Sequence, residues 1–252
     1  MLFRSLDVYK RQLLESPNNT LALEYMRTLR QMKSDMVPVT VQRKGPAHDS
    51  SETAQQMAGA SYIRNLLQKG QFEQALELVP EKAAVWYREE LSLGFAPCTI
   101  ERVESVFLSR LQQLTREELA QLPDVSEGLE NRIADCVLRC SSFEELLYRL
   151  KTKRYTMARL RRILLAAVLG IKQEDYEQPP SSLRVLAFNQ RGGELLRGAK
   201  EKAEIVFAPK PYQEGEASRQ ARLESNAAGI FFLSSPRKRP LSDEFTQKIE
   251  MT

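Results

Sequence analysis

The first apolar pattern of the chain is helical. Leu21, Tyr25 and Leu29 recur at intervals of four residues, which places them on one face of a helix predicted over residues 19–33. Asn19 stands at the start of this segment, where an amide side chain can cap the free backbone N–H groups of a helix. The pattern therefore predicts an amphipathic helix that begins with an asparagine.

The next apolar residues alternate instead. MVPVTVQ, residues 36–42, carries valine at every second position and predicts a short strand. A polar stretch with a Gly-Pro break over residues 43–52 predicts a loop, and a further helix is expected from near Ser61 to Gly70. This order is typical of one piece of an α/β unit, in which the strand needs a partner from elsewhere.

Residues 71–170 are dominated by helical patterns. Thr115 with Glu118, and Ser142 with Glu145, match the capping-box signature at two helix starts. An apolar stripe at helical spacing predicts one buried helix face, formed by Val103, Phe107, Leu111 and Leu114. The block is therefore expected to be a helical domain.

The pattern changes again after the turn QPPSS at residues 178–182. A strand, a helix, a second strand and a second helix are predicted in that order, at LRVLAFN, RGGELLRGAKEKAE, IVFAP and residues 216–233. Because a helix joins the two strands, we expect them to be parallel. The tail from Ser234 is polar and is expected to be loose.

Composition narrows the candidate chemistry. The 252 residues carry a net charge of +4, and no apolar run approaches the ~20 residues that span a bilayer, so we expect a cytoplasmic protein without a membrane partner. His48 is the single histidine, which excludes, within these residues, a mechanism or metal site that needs two. Cys136 and Cys140 are expected in the core rather than as metal ligands.

Two helix starts in the first part of the chain could bind phosphate. Asn18 and Asn19 can cap a helix, but their amides can also bond a ribose or a phosphate group. In AGASYIR, Ser61 opens a helix and Arg64 lies one turn further, where its guanidinium can bind a phosphate at the helix N-terminus. At both places a simple capped helix is the alternative.

KTKRYTMARLRR, residues 151–162, contains six lysines or arginines and no acidic residue. Thr156 is the expected N-cap of an amphipathic helix, and Arg159 and Arg162 lie outside its apolar stripe. An ordinary solvated helix face accounts for this half of the segment.

The residues before that helix are less ordinary. Lys151, Lys153 and Arg154 would lie near the helix N-terminus, where each positive charge is unfavourable by ~0.3–1 kcal/mol. A bound anion would offset this repulsion, and Tyr155 among these cations could stack on a base. The segment is therefore a candidate contact with a nucleic acid.

These motifs occur together in one known family. From about Ser16 to the turn at 178–182, and more loosely beyond it, the chain resembles the C-terminal part of the bacterial tRNA(Met) cytidine acetate ligases, a branch of the nucleotidyltransferase superfamily. Five segments in order carry the resemblance: PNNTLALEY (17–25), VQRKGPAHD (41–49), GASYIR (59–64), EGLENRI (127–133) and LKTKRYTMARLRR (150–162).

The resemblance implies an enzyme that uses ATP to activate acetate as acetyl-adenylate. The enzyme then passes the acetyl group to N4 of the wobble cytidine, position 34, of elongator tRNA(Met). ATP is the implied cofactor, with Mg²⁺ as counter-ion of the nucleotide rather than as a protein-bound metal. The residues implied in ATP binding are Asn18 or Asn19, Arg43, Lys44, Ser61 and Arg64. With tRNA as the partner, the basic segment offers Lys151, Lys153, Arg154, Tyr155, Arg159 and Arg162 as contacts.

The chain also departs from the family. The family's H-x-G-H signature, whose histidines stabilise charge on the transferring phosphate, cannot occur in a chain with one histidine. The start, MLFRSLDVYKRQ, resembles nothing in the family, so we expect residues 1–15 to be a non-native leader and the chain to be an inactive gene fragment. His48 also comes one residue earlier after the basic pair than the family's Tyr-His-Asp, which leaves its role open.

The expected fold class is mixed and mainly α. We expect a C-terminal remnant of a Rossmann-like nucleotidyltransferase α/β domain over residues 16–70, a helical tRNA-facing domain over 71–177, and a small α/β subdomain over 178–233 before the loose tail at 234–252. Two alternatives stay open, namely another adenylyl-transferring nucleotidyltransferase and a non-catalytic helical RNA-binding module. The sequence indicates no oligomeric state.

Overall fold

The computed structural model of the protein describes residues 17–41, 58–201, 204–207, 218–246 and 249–251. The chain divides into two compact units, Met1–Trp86 and Tyr87–Thr252, and the division falls inside a helix over Glu81–Ser92. Among the described residues, helices dominate both units, and short strands occur in the second.

The described part of the first unit is helical. Its elements are α1 Pro17–Gln31, α2 Ala60–Gln68, α3 Phe72–Leu76 and the first part of α4 Glu81–Ser92. Proline suits the first turn of α1 because the N–H that it lacks would have no partner within the helix. After α1, the Ser34 N–H donates to the Leu29 carbonyl at 3.0 Å while Lys33 takes a left-handed backbone with φ 50°. The buried apolar residues of this unit include Leu66, Ala75, Leu76 and Ala84.

The apolar face predicted for α1 forms, but it is not buried. The helix spans Pro17–Gln31 rather than residues 19–33, and Leu21 and Tyr25 are exposed while Leu29 is half-buried. Helical periodicity locates a helix, whereas burial of its face depends on neighbours that a local pattern does not reveal.

The strand predicted over residues 36–42 is wrong for the part that is described. Residues 34–41 form neither helix nor strand, and Gln42 lies outside the described residues. Val37, Val39 and Val41 are 82%, 85% and 90% exposed. Alternating β-branched residues suit a pleated strand, but a strand also needs a hydrogen-bonding partner, and the described residues supply none here.

Five helices build the core of the second unit. They are α5 Glu104–Gln113, α6 Arg116–Ala120, α7 Leu129–Val137, α8 Phe143–Leu150 and α9 Met157–Leu169, preceded by a 3-10 turn at Ile100–Val103. The stripe predicted from Val103 to Leu111 is buried, and Leu114 packs against it. Phe107 meets Phe143 edge to face, with 5.3 Å between ring centroids. The predicted helical domain therefore has the predicted face in its core.

Both predicted capping signals lie at helix starts. The Thr115 Oγ1 accepts from the Glu118 N–H at 3.2 Å, and the Glu118 carboxylate accepts from the Thr115 N–H at 2.9 Å, so this capping box is complete. At α8, the Ser142 Oγ accepts from the Glu145 N–H at 3.0 Å, but the Glu145 carboxylate accepts from the Ser141 N–H instead. The second box is therefore half formed.

The C-terminal elements follow the predicted order of strand, helix, strand and helix. They are α10 Gln173–Glu177, β1 Ser182–Arg184, β2 Ala187–Phe188, α11 Gln190–Ala199, β3 Glu204–Val206, α12 Arg219–Leu233, α13 Asp243–Thr246 and β4 Glu250–Met251. Strand β1 pairs with β3 in parallel, with Leu183 opposite Ile205, so the predicted parallel arrangement is confirmed.

Two features of this region differ from the prediction. The segment LRVLAFN is not a single strand, because β1 pairs with β3 whereas β2 pairs in parallel with β4. The tail expected to be loose begins with two buried serines, Ser234 and Ser235, and its buried Glu244 forms an ion pair with Arg184. Polar residues can be buried when their groups find partners, which a polar composition alone does not reveal.

Candidate functional site

The two asparagines of the PNN motif lie in the first turn of α1. The helix begins at Pro17, so Asn18 and Asn19 are its second and third residues. Asn19 is therefore not the predicted N-cap, because an N-cap precedes the helical residues. Both asparagine side chains are exposed and accessible to a ligand.

The start of α2 keeps the features of the predicted anion site. Gly59 precedes the helix with an extended backbone and supplies no side-chain cap. The Arg64 Nη2 donates to the Ser61 Oγ at 3.3 Å, so the two residues singled out in the sequence meet in the first turn. Arg64 is exposed, and an arginine beside a helix N-terminus is suited to binding phosphate.

The other predicted residues of the first unit are not described. Arg43, Lys44 and His48 lie outside the described residues, and their roles stay predictions. In the part of the chain that is described, no group of three His, Cys, Asp or Glu side chains could hold a metal ion. Cys136 and Cys140 are half-buried against the core of the second unit, as expected of core residues.

Tyr155 is not available to stack on a base, and this prediction is corrected. Its side chain is 6% exposed and belongs to the core cluster of the second unit. The Arg159 guanidinium lies over the Tyr155 ring, 5.3 Å from its centroid. The tyrosine therefore anchors the start of the basic segment to the core instead of facing a ligand.

Lys151 also lies in a different electrostatic setting from the one predicted. It is the C-cap of α8, where a positive charge is favourable, and it is six residues before Met157, the first residue of α9. The Lys151 Nζ donates to the carbonyls of Thr152 and Tyr155 at 3.2 and 3.1 Å. The dipole of α9 therefore does not repel Lys151 and gives no reason to expect a bound anion there.

The N-cap predicted for α9 is confirmed, since the Thr156 Oγ1 accepts from the Arg159 N–H at 3.3 Å.

Three arginines of the basic segment hold one loop. Arg154 forms an ion pair with Glu127 at 2.7 Å, and Arg162 lies 3.4 Å from the Asp124 carboxylate. The Arg159 guanidinium donates to the Asp124 carbonyl at 2.6 and 3.2 Å and to the Ser126 Oγ at 3.1 Å. Asp124 and Glu127 have φ of 64° and 59°, a left-handed backbone that costs energy for residues other than glycine. The arginines therefore stabilise a strained loop, which sequence reasoning did not reveal.

This contact joins two of the sequence motifs. EGLENRI begins with Glu127, the partner of Arg154, and its Arg132 donates to the Arg149 carbonyl at 2.5 Å. Leu129 and Ile133 of the same motif are buried in the core cluster to which Leu150 and Leu160 belong. We call the surface formed by residues 124–127 and 151–162 the basic face.

Two cations of the basic face have no partner among the described residues, and one exposed tyrosine lies near this face in sequence. Lys153 and Arg161 are exposed and make no hydrogen bond or ion pair with any described residue. Tyr148, on α8 one turn before Lys151, is 75% exposed. Sequence reasoning passed over Tyr148 because its helical spacing does not distinguish an exposed aromatic residue from a buried one.

The helical architecture and the ordered motifs define a class of protein. The family model described as HIGH Nucleotidyl Transferase matches residues 2–244, so the chain belongs to this nucleotidyltransferase family. The match runs over residues 2–244, so the expectation that the chain resembles only the C-terminal part of the family is not supported. The 252 residues nevertheless hold a single histidine and thus no H-x-G-H signature.

Within that class, the chain is similar to proteins named tRNA(Met) cytidine acetate ligase. It is 30% identical to the one from Acetivibrio thermocellus over 254 residues, which cover 94% of this chain and 61% of the relative. It is 34% identical to the one from Thermoanaerobacter sp. over 211 residues, which cover 81% of this chain and 51% of the relative. The chain therefore spans between about half and three fifths of the length of these relatives.

Solved structures share the fold. Thermotoga maritima TmcAL in its apo form has a TM-score of 0.82 at 23% identity, covering 94% of this chain and 61% of that chain. The form bound with α-thio ATP has a TM-score of 0.79 at 24% identity, covering 95% and 61%. The predicted fold class, mixed and mainly α with parts of a nucleotidyltransferase, is thereby confirmed. None of the helices described here combines the length and the apolar character needed to cross a membrane.

Proposed function

We propose that this chain is part of an ATP-dependent ligase that acetylates N4 of the wobble cytidine, position 34, of elongator tRNA(Met). The observation that supports the proposal is the similarity to the tRNA(Met) cytidine acetate ligase of Acetivibrio thermocellus, which extends over 94% of the chain. A tRNA substrate and the mild net positive charge fit a cytoplasmic enzyme.

The proposed reaction has two steps. An acetate oxygen attacks the α-phosphorus of ATP, forming acetyl-adenylate and releasing pyrophosphate. The N4 amine of the cytidine then attacks the acetyl carbon, a proton leaves the nitrogen, and AMP departs. Mg²⁺ would accompany the nucleotide as its counter-ion, without a dedicated protein site.

Nucleotide binding is assigned to the first unit. The structural neighbour from Thermotoga maritima is a form bound with α-thio ATP. In this chain the exposed Asn18 and Asn19 offer amide groups to ribose or phosphate, and Ser61 with Arg64 offers a helix N-terminus and a guanidinium. Arg43 and Lys44 complete the proposed set from the sequence.

The tRNA contact is assigned to the basic face of the second unit. Lys153 is exposed and available to phosphate, and so is Arg161. The Arg154–Glu127 pair has side chains 67% and 59% exposed, so exchanging the carboxylate for a phosphate costs little. The conformation of the basic face is stabilised by the contacts of Lys151, Arg159 and Arg162 with its backbone and side chains. The exposed Tyr148, rather than Tyr155, is the aromatic residue able to stack on a base.

We keep the domain limits as part of the proposal. Residues 16–70 would belong to the nucleotide domain, 71–177 to the helical tRNA-facing domain and 178–233 to the small α/β subdomain. The catalytic H-x-G-H signature would then come from a part of the ligase outside these 252 residues, because the chain has one histidine.

The test is an acetylation assay with radiolabelled acetate, ATP and elongator tRNA(Met). We expect no N4-acetylcytidine from the isolated chain. We expect product from a chimera that joins this chain to the portion of the Acetivibrio thermocellus ligase that its match leaves out. Product from the isolated chain would show that catalysis needs no second histidine. A folded chimera that binds ATP and tRNA(Met) but forms no product would contradict the proposed function.

A further inference from the structure

A pocket of about 310 Å³ lies in the second unit, apart from every residue assigned above. Its walls come from the end of α4, the segment that follows it, the end of α12 and the residues after α12. A volume of ~300 Å³ is at the lower limit for pockets that hold small molecules or single chemical groups. The pocket is therefore large enough for one planar ring system.

The walls of this pocket are largely aromatic. Tyr87 and Phe95 line one part, and Phe231 and Phe232 line another, with 6.4 Å between the centroids of the last two rings. Phe231 is 59% exposed, so an aromatic face stands at the rim and faces solvent. Aromatic side chains prefer to meet flat rings in offset or edge-on arrangements. The aromatic walls therefore favour a planar aromatic ligand.

Polar groups in the pocket supply both a donor and an acceptor. The Arg239 guanidinium lies over the Phe95 ring, 3.8 Å from its centroid, and forms an ion pair with Glu90. The Tyr87 hydroxyl can donate, since a phenol is protonated at neutral pH, and burial, with Cys98 nearby, raises the pKa of Tyr87 further. A guanidinium, a hydroxyl and a carboxylate around this pocket match the mixed donors and acceptors on the edge of a nucleobase.

The residues at the rim are cationic. SSPRKRP, residues 234–240, carries three cations and no acid. The Lys238 Nζ donates to the carbonyls of Leu233 and Ser235 at the end of α12, which fixes this segment. Arg237 is exposed, and its guanidinium lies 5.1 Å from the Phe95 centroid. A base in the pocket would thus have its own phosphate beside a guanidinium.

We propose that this pocket binds one unstacked nucleobase of an RNA strand, with the adjoining phosphate on Arg237. Proteins commonly bind single-stranded RNA with aromatic side chains next to a cationic surface. The choice of RNA over another planar anion rests on the proposed tRNA function. The pocket is a second RNA contact, separate in its residues from the basic face.

The alkylation rate of the Cys98 thiol measures occupancy of this pocket in the wild-type protein. Cys98 lines the pocket as a free cysteine, and Cys136 and Cys140, half-buried against the core outside the pocket, serve as internal references. We expect a saturating unstructured pyrimidine 12-mer RNA to slow alkylation of Cys98 at least about 5-fold, relative to the two references. An abasic ribose-phosphate 12-mer, which keeps the charge and lacks the bases, should give no such protection. Equal protection by the two strands, or protection by neither, would overturn the proposal.

Two matched variants provide the second measurement. Phe231→Ala should weaken binding of the 12-mer between about 5- and 150-fold in fluorescence anisotropy, the range found for loss of one base–aromatic stack. Tyr176→Ala removes an aromatic residue that is 63% exposed outside the pocket, and should leave binding unchanged. Equal affinities for Phe231→Ala and wild type would also overturn the proposal.

The outcomes separate this inference from the proposed function. In one outcome the chimera acetylates tRNA(Met), but Phe231→Ala binds the 12-mer as tightly as Tyr176→Ala does, and the abasic strand protects Cys98 as well as the intact RNA does. The pocket proposal is then wrong, and the proposed function is unaffected. If the RNA protects Cys98 through its bases while the folded chimera forms no N4-acetylcytidine, the pocket proposal stands and the proposed function fails.

Discussion

At the scale of single residues, burial decides which tyrosine can serve a ligand. Tyr155 stands among cations in the sequence, yet its ring is 6% exposed and belongs to the core. Tyr148 stands in an ordinary amphipathic helix, yet it is 75% exposed. Local sequence gives the residue type and the neighbouring charges, but exposure depends on how the helices pack together. Which of the two tyrosines is exposed therefore could not be predicted from the segment alone.

The two tyrosines should differ in their effect on stability. Tyr155→Ala should lower the free energy of unfolding by about 3–5 kcal/mol, because it removes a large buried ring from the core. Tyr148→Ala should change it by less than about 0.5 kcal/mol. Urea unfolding followed by circular dichroism measures both, and similar losses for the two variants would contradict this assignment.

Arg64 should matter for ATP and not for folding. Its guanidinium is exposed beside Ser61 at the start of α2, and removing a charge-assisted hydrogen bond to phosphate costs about 1.5–3 kcal/mol. Arg64→Ala should therefore weaken ATP binding at least ~10-fold in calorimetric titration. Gln68→Ala, an exposed change at the other end of the same helix, is the control. Equal affinities for the two variants would exclude Arg64 from the ATP site.

At the scale of elements, local signals were sufficient where the structure is local. The Thr115 capping box, the Thr156 cap and the stripe from Val103 to Leu111 all form as their spacing predicts. The strand at 36–41 fails because a strand needs a partner that a local pattern cannot supply. The loop that Arg159 contacts also could not be predicted, because the local sequence does not indicate a left-handed backbone at Asp124 and Glu127.

The two arginines that contact this loop, Arg154 and Arg159, should contribute unequally to the stability of the protein. Arg159→Ala removes three hydrogen bonds to the loop and a contact with the Tyr155 ring, and should lower the free energy of unfolding by about 1.5–3 kcal/mol. Arg154→Ala removes an exposed ion pair and should cost less than about 1 kcal/mol. Thermal unfolding of the two variants at equal protein concentration measures the difference. A larger loss for Arg154→Ala would contradict the described geometry.

At the scale of the whole molecule, the order of weak motifs carried more information than any one of them. Five short segments in sequence indicated the family, and the family match over residues 2–244 places nearly the entire chain within it. Net charge was a poor guide, since +4 is mild, whereas the clustering of six cations in 151–162 located the basic face. The partners inside that face, such as Glu127 for Arg154, come from a segment more than 20 residues earlier. Pairs of residues so far apart in sequence can be identified only from the folded structure.

The basic face of this chain is the proposed site of tRNA binding, through the phosphates of the RNA. The most direct measurement is the salt dependence of elongator tRNA(Met) binding, by filter binding, for wild type, Lys153→Ala with Arg154→Ala, and a control pair. Lys82→Ala with Arg102→Ala removes the same charge from exposed positions outside the face. Each lost phosphate contact reduces the slope of log affinity against log salt by ~0.7–0.9, so the first pair should flatten it by about 1.4–1.8 and the control should not. A slope unchanged from wild type in the first pair would exclude Lys153 and Arg154 from phosphate contacts with the tRNA.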